Sequence, residues 1–220
     1  MIRWFYYVAR FIVQMALRLF SRWQIRGREN VPDKGAILIV SNHLHLADPP
    51  LVSVSLKRKA IFMAKEELFR SKFTGYFISS FGAFPVHRGQ LDRNALRQAE
   101  RVLAEDLALV MFPEAARSKN AQLQQAFPGS ALIALRNDVP VLPVAITGTE
   151  RLKGFSWIFR RPTITITFGQ PFYLPPVSRK ISRTELNDST DYIMRHIAKL
   201  LPEEYQGYYV KQKEPDVIKD

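Results

Sequence analysis

The 220-residue sequence predicts an α/β fold: a mixed, largely parallel central sheet covered by helices, with an amphipathic helix at the N-terminus. Three observations carry that prediction. Short apolar, β-branched runs of strand length recur along the chain. Segments with helical spacing of apolar residues fall between them, the alternation expected of a sheet covered on both faces. The opening segment combines a wide apolar face with a narrow polar stripe.

Residues 1–20 read as a helix. At about 100° per residue, Arg3, Arg10, Gln14, Arg18 and Arg22 fall on one stripe, with Phe11, Ile12, Met15 and Leu19 among the apolar remainder. Such a helix suits a membrane interface. Arg10 and Gln14 at its middle argue against spanning, and no small-residue cleavage site follows to mark a signal peptide. After a turn at 31–35, residues 36–40 read as a buried strand. Asp48-Pro49 reads as N-cap and first residue of a helix over 50–56. Further strands are expected at 60–63, 83–86, 107–112, 141–146 and 163–168. Helices are expected over 94–106, 130–136 and 182–201, the last ended by Pro202. The organisation is an interfacial helix (1–23), a domain (24–209) and a polar, frayed tail (210–220), with no internal repeat.

Lys plus Arg is 32 and Asp plus Glu is 20, a net charge of +12. Such a chain should meet polyanions: nucleic acid, an anionic bilayer, or an acidic partner. There is no cysteine, which excludes disulfides, a thiolate nucleophile and cysteine-ligated metal sites. No apolar run reaches the roughly 20 residues of a spanning helix. Neither a helix-turn-helix signature nor an aromatic RNA-binding pattern is present, so nucleic acid is not expected as a partner. No histidine pair is joined by a convincing third ligand, so no metal site is expected.

The most informative segment is Ser41-Asn42-His43-Leu44-His45-Leu46-Ala47-Asp48. It follows a predicted strand, at the end where open α/β sheets place their sites. Folding His43 back on Asp48 would fix one imidazole nitrogen and leave the other as a base. A base needs a proton to take, and no G-x-S-x-G elbow supplies a serine. A substrate hydroxyl is the remaining candidate. Taken alone, the pair reads more simply as a helix cap and a satisfied loop histidine; the neighbouring blocks reverse that.

Three further blocks follow in order: Gly82-Ala83-Phe84-Pro85-Val86-His87-Arg88, Phe112-Pro113-Glu114-Ala115-Ala116-Arg117-Ser118, and Val139-Pro140-Val141-Leu142-Pro143-Val144-Ala145. With Asn42-His43-x4-Asp48 they resemble the glycerolipid acyltransferases of the lysophosphatidic acid acyltransferase type, over about residues 24–170. The segments Ala64-Lys65-Glu66-Glu67-Leu68 and Phe127-Pro128-Gly129 share the likeness. The resemblance implies transfer of a fatty acyl group from a thioester, acyl-CoA or acyl carrier protein, to the sn-2 hydroxyl of 1-acylglycerol-3-phosphate, giving phosphatidic acid. It makes His43 the general base and Asp48 its orienting partner, with no acyl-enzyme and no cofactor. It gives Asn42, Lys65, Arg88, Glu114 and Arg117 to the substrate. Lys65, Arg88 and Arg117 would take the phosphate, and Glu114 the glycerol or the arginines. Backbone amides around Val141–Leu142 are the implied oxyanion donors. A monotopic place on the cytoplasmic face of a membrane, against an anionic surface, is implied as well.

The sequence departs from the family pattern at Ala115-Ala116, where Gly-Thr is usual, and at His87, where an acidic residue is usual. An alanine where the family glycine has positive φ costs conformational energy. The departures leave acceptor identity open: another lysophospholipid or hydroxyl-bearing lipid is the alternative. A non-catalytic basic binder of membranes or nucleic acid would explain the charge but not the ordered blocks. His45 is a second candidate base, set aside because the motif register selects His43.

Overall fold

The computed structural model describes residues 3–80, 82–86, 92–178 and 180–210. Seven strands form one sheet: β1 (Arg22–Arg26), β2 (Ile37–Ser41), β3 (Ala60–Lys65), β4 (Ala83–Val86), β5 (Ala108–Met111), β6 (Val141–Thr147) and β7 (Thr163–Phe168). Their order is β1-β7-β6-β2-β5-β3-β4, parallel throughout except for the antiparallel β6–β7 pair. The expected mixed, largely parallel sheet is present.

Period-two alternation sends residues of the central strands to two separate cores. Ile37, Ile39, Val110, Leu142 and Ile146 join Leu51, Val52 and Val54 of helix α2 (Asp48–Ser55) and Leu17 of α1 (Arg3–Phe20) on one face. Leu38, Val40, Leu109 and Val141 meet α4 (Arg93–Ala104), α5 (Gly129–Asn137) and α7 (Arg183–Ala198) on the other. Burial on both faces of β2 explains its apolar run Ile37-Leu38-Ile39-Val40. Ser182 caps α7 by accepting from the Glu185 amide, and Glu185 answers with its side chain, a complete capping box.

Two elements of five residues or more lie where no element was expected. β1 is an edge strand that alternates exposed and half-buried residues, so its arginines disguise it. It spans residue 23, the end expected for the interfacial helix. Helix α3 (Lys72–Ser80) is the other. Arg88, His87 and the tail beyond residue 210 lie outside the described residues.

Helix α1 is present, but its polar stripe is divided. The Arg10 guanidinium turns inward, donating to the carbonyls of Ser53 and Leu56 at the end of α2 and to the Tyr6 hydroxyl. Gln14 donates to the Val54 carbonyl at 3.2 Å. These cations and amides satisfy the carbonyls that a helix C-terminus leaves open. Arg18 stays exposed, and the outward side is apolar: Tyr7, Phe11, Ile12 and Leu19 are 57–63% exposed. Among the described residues no helix is long and apolar enough to cross a membrane.

Candidate active site

β2 lies between β5 and β6, and the chain crosses from one side of it to the other between those strands. Loops leaving neighbouring parallel strands diverge there and open a crevice at their C-terminal ends. The Asn42–Asp48 segment leaves β2 at that crevice. The Phe112–Ser118 loop leaves β5 beside it, because Val40 and Met111 are register partners.

Asp48 Oδ2 is the hub of the first loop. It accepts from His43 Nδ1 at 2.9 Å, from the Leu44 amide at 2.6 Å and from the His45 amide at 2.7 Å. A carboxylate offers only lone pairs, so Nδ1 carries the proton and Nε2 keeps its lone pair. Asp48 is fully buried and His43 is 5% exposed. The other carboxylate oxygen, Oδ1, is buried without a hydrogen-bond partner. Asp48 was expected as N-cap of α2. Instead Ala47 is the cap and Asp48 is the first helical residue. Its carboxylate reaches back to the loop's amides rather than forward into the helix. The His–Asp pairing expected from the spacing is in place.

The second loop grips the main chain of His43. Glu114 Oε1 accepts from the His43 amide at 2.9 Å, and the Ser118 amide donates to the His43 carbonyl at 2.8 Å. Glu114 Oε2 accepts from the Gln124 amide at 2.9 Å. Phe112 packs on the imidazole, with ring centroids 4.4 Å apart. Burial pushes the Glu114 carboxyl up to about 7, against the pull of the two amides, with the Asp48 carboxylate adding to the rise. No ion pair joins Glu114 to an arginine among the described residues. Its two hydrogen bonds support the main chain around His43. That role, and that of Ser118, are hidden in the sequence because the contacts run through backbone amides; Phe112 is hidden because an aromatic residue after a strand reads equally as core.

Asn42, expected at the substrate, is 1% exposed. Its Nδ2 donates to the Ile146 carbonyl at 2.8 Å and its Oδ1 accepts from the Ile146 amide at 2.7 Å. That double bond to β6 fixes where the chain leaves β2, a positioning task. The oxyanion donors expected at Val141–Leu142 need correction. Val141 is the register partner of Leu38, three residues before the strand end at Ser41, about 10 Å down the sheet at ~3.3 Å per residue. Its amide donates to the Phe172 carbonyl at 2.7 Å. Residues 141–142 open the strand, whereas the crevice lies at its other end.

Two of the three expected phosphate ligands, Lys65 and Arg117, lie within the described residues. Lys65 ends β3, two strands from β2, on the same edge of the sheet. It is exposed and pairs with Glu67 at 2.9 Å. Arg117 is exposed on the loop that grips His43. Burial lowers the pKa of His45; Asp48 opposes this, while Arg117 lowers it further. The Ser118 amide on the His43 carbonyl sets its neighbour Arg117 beside the first loop. His45 Nδ1 accepts from the Ala47 amide at 3.2 Å, so His45 serves the turn. Ala115 has φ of +55°, in the left-handed region that favours glycine. The conditional expectation for this position is met: alanine stands where the backbone wants glycine. Among the described residues no three His, Asp or Glu side chains are grouped to hold a metal.

Comparison with known proteins gives a consistent answer. The acyltransferase family model matches residues 22–147, more than half of the chain. The 1-acyl-sn-glycerol-3-phosphate acyltransferase of Streptococcus pneumoniae is 29% identical over 222 residues, covering 97% of this chain and 79% of its own. That of Bacillus subtilis is 25% identical over 190 residues, covering 86% and 92%. The crystal structure of the 1-acyl-sn-glycerophosphate (LPA) acyltransferase PlsC from Thermotoga maritima superposes with a TM-score of 0.66 at 26% identity, covering 89% of this chain and 79% of that one. The matched region runs from β1 to the end of β6 and contains both loops that hold His43, so the chain belongs to the acyltransferase family of enzymes.

Proposed function

We propose that the protein transfers a fatty acyl group from an acyl thioester to the sn-2 hydroxyl of 1-acylglycerol-3-phosphate. The single observation that supports this best is the buried His43 Nδ1–Asp48 Oδ2 bond at 2.9 Å, set in a loop clamped on both sides. Free Nε2 takes the hydroxyl proton as the oxygen attacks the thioester carbonyl. The tetrahedral intermediate collapses by breaking the C–S bond, and the imidazolium returns the proton to the departing thiolate. Proton and electron pairs balance without an acyl-enzyme, a metal or a redox group. A positioned base of this kind contributes about 10²–10⁴-fold.

Lys65 and Arg117, with Arg88 beyond the described residues, supply the cations for the acceptor phosphate. Arg117 brings a planar fork suited to phosphate oxygens. The donor is acyl-CoA or acyl carrier protein, both of which present a thioester to the same carbonyl chemistry. The outward apolar side of α1 lays the enzyme on an anionic lipid surface, where its acceptor resides. A different lysolipid acceptor is the second reading, favoured by Ala115 at positive φ and by Ala116, which lacks a threonine hydroxyl.

The test is release of free thiol from acyl-CoA, with lysophosphatidic acid set beside phosphate-diester and phosphate-free lysolipids. Turnover fastest with lysophosphatidic acid supports the first reading, and faster turnover with another lysolipid selects the second. No turnover with any acceptor from either donor sinks both.

A further inference from the structure

A second exposed apolar patch lies far along the chain from α1 and touches it. Helix α6 (Trp157–Arg160) follows β6. Phe155 is 86% exposed and Phe159 is 89% exposed, more than any other large apolar side chain described. Two phenylalanines projecting this far from one short segment are not accounted for by the core. The segment is nonetheless anchored. Trp157 packs edge-on to Phe20 of α1 with centroids 6.4 Å apart, and Arg161 donates to the Arg18 carbonyl at 3.3 Å. The patch therefore adjoins the outward apolar side of α1, where Leu19 is 57% exposed.

The charge around it has one sign. Residues 151–161 contain Arg151, Lys153, Arg160 and Arg161 and no carboxylate. Arg151 is engaged by Glu150 at 3.3 Å, whereas Lys153 and Arg160 are exposed. Aromatic side chains ringed by cations match the boundary between acyl chains and anionic headgroups. A second copy of this chain is a poorer occupant. Two-fold contact would set each copy's cations against the same cations of the other.

We propose that residues 151–161 form a second bilayer contact beside α1, inserting Phe155 and Phe159 between acyl chains while Lys153 and Arg160 meet anionic headgroups. Two contacts fix orientation as well as attachment, because a single helix lets the domain rotate about its axis. The proposal rests on the reading of the protein as a lipid-surface enzyme.

Because the chain has no cysteine, Ser156→Cys accepts one environment-sensitive fluorophore at the patch, and Asn187→Cys on α7 in the opposite layer serves as control. The probe is vesicles of phosphatidylcholine with or without phosphatidylglycerol, some carrying brominated chains. The label at 156 should shift to the blue and be quenched by bromine on anionic vesicles, with the control silent. Phe155→Ala/Phe159→Ala should weaken vesicle partitioning at least about tenfold. Lys153→Gln/Arg160→Gln should weaken it about 25-fold on anionic vesicles only, at roughly fivefold per cation. Both pairs should retain turnover on detergent-dispersed substrate, which also shows that they fold. A silent label at 156 on vesicles that bind the protein overturns the proposal. So does a label response that grows with protein concentration without lipid, which would assign the patch to a second copy. Partitioning needs no catalysis. Insertion without acyl transfer removes only the functional reading, and turnover with a silent label removes only the docking.

Discussion

The two halves of the candidate site are built differently. The base side is wired: the His43 imidazole, amide and carbonyl each have a partner at 2.8–2.9 Å, all in or near the core. The proposed anion side rests on exposed side chains: Lys65 is the last residue of β3, and Arg117 lies on the loop after β5. A proton transfer needs its base placed to a fraction of an ångström, and preorganisation supplies that. A phosphate is recognised by charge from several directions and tolerates mobile cations. Losses on the base side should therefore appear in kcat, and losses on the anion side in KM.

The largest effect is expected at the base itself. His43→Ala should lower kcat by about 10³-fold or more, and Asp48→Asn should fall nearly as far because the tautomer is no longer held. Thiol-release kinetics with saturating acceptor read both. A loss confined to KM would erase the contrast between the two halves.

Glu114 comes next. Glu114→Ala frees the His43 and Gln124 amides and should lower kcat by about 10–100-fold, with KM little changed. Its pKa also makes a stability prediction. The folded-state value, about 7, lies above the ordinary 4.5, so protonated Glu114 favours the fold. That contribution is full below pH about 4.5 and is lost as pH rises through about 7, on the order of 3 kcal/mol in all. Urea unfolding at pH 5.5 and 8 should show a decline in the parent protein and a shallower one in Glu114→Gln. Equal pH slopes would mean that the carboxyl is not held in a dry site.

On the anion side, Arg117→Ala should raise KM for a phosphate monoester acceptor about tenfold while leaving kcat within about twofold. A phosphate-free acceptor should lose less. The smallest effect is expected at Ala115. Replacing it with glycine relieves a left-handed strain of about 1–2 kcal/mol. About 0.4–1 kcal/mol of that is offset by the freer unfolded chain. Ala115→Gly should then raise stability by about 0.5 kcal/mol, visible as a slightly higher Tm.

The base side was also the more legible half. His43 and Asp48 stand five positions apart after the apolar run of β2, and side-chain chemistry with a turn suffices to pair them. What holds the loop was hidden, because Glu114 and Asn42 act on amides and carbonyls 71 and 104 residues away. Backbone partners leave no mark on residue type. β1 escaped because an edge strand tolerates the arginines of Arg22–Arg26. The inward turn of Arg10 escaped because a helical wheel ranks polarity, whereas the open carbonyls of α2 decided which side faced the protein.

The central claim is that His43 activates the acceptor and the acyl group passes directly to it. The most direct test mixes stoichiometric acyl-CoA with the protein, first without and then with lysophosphatidic acid, following thiol release and intact protein mass. Direct transfer predicts no rapid thiol release and an unchanged mass until the acceptor is added. A stoichiometric burst of thiol with an acyl adduct on the protein, before any acceptor is present, would contradict it.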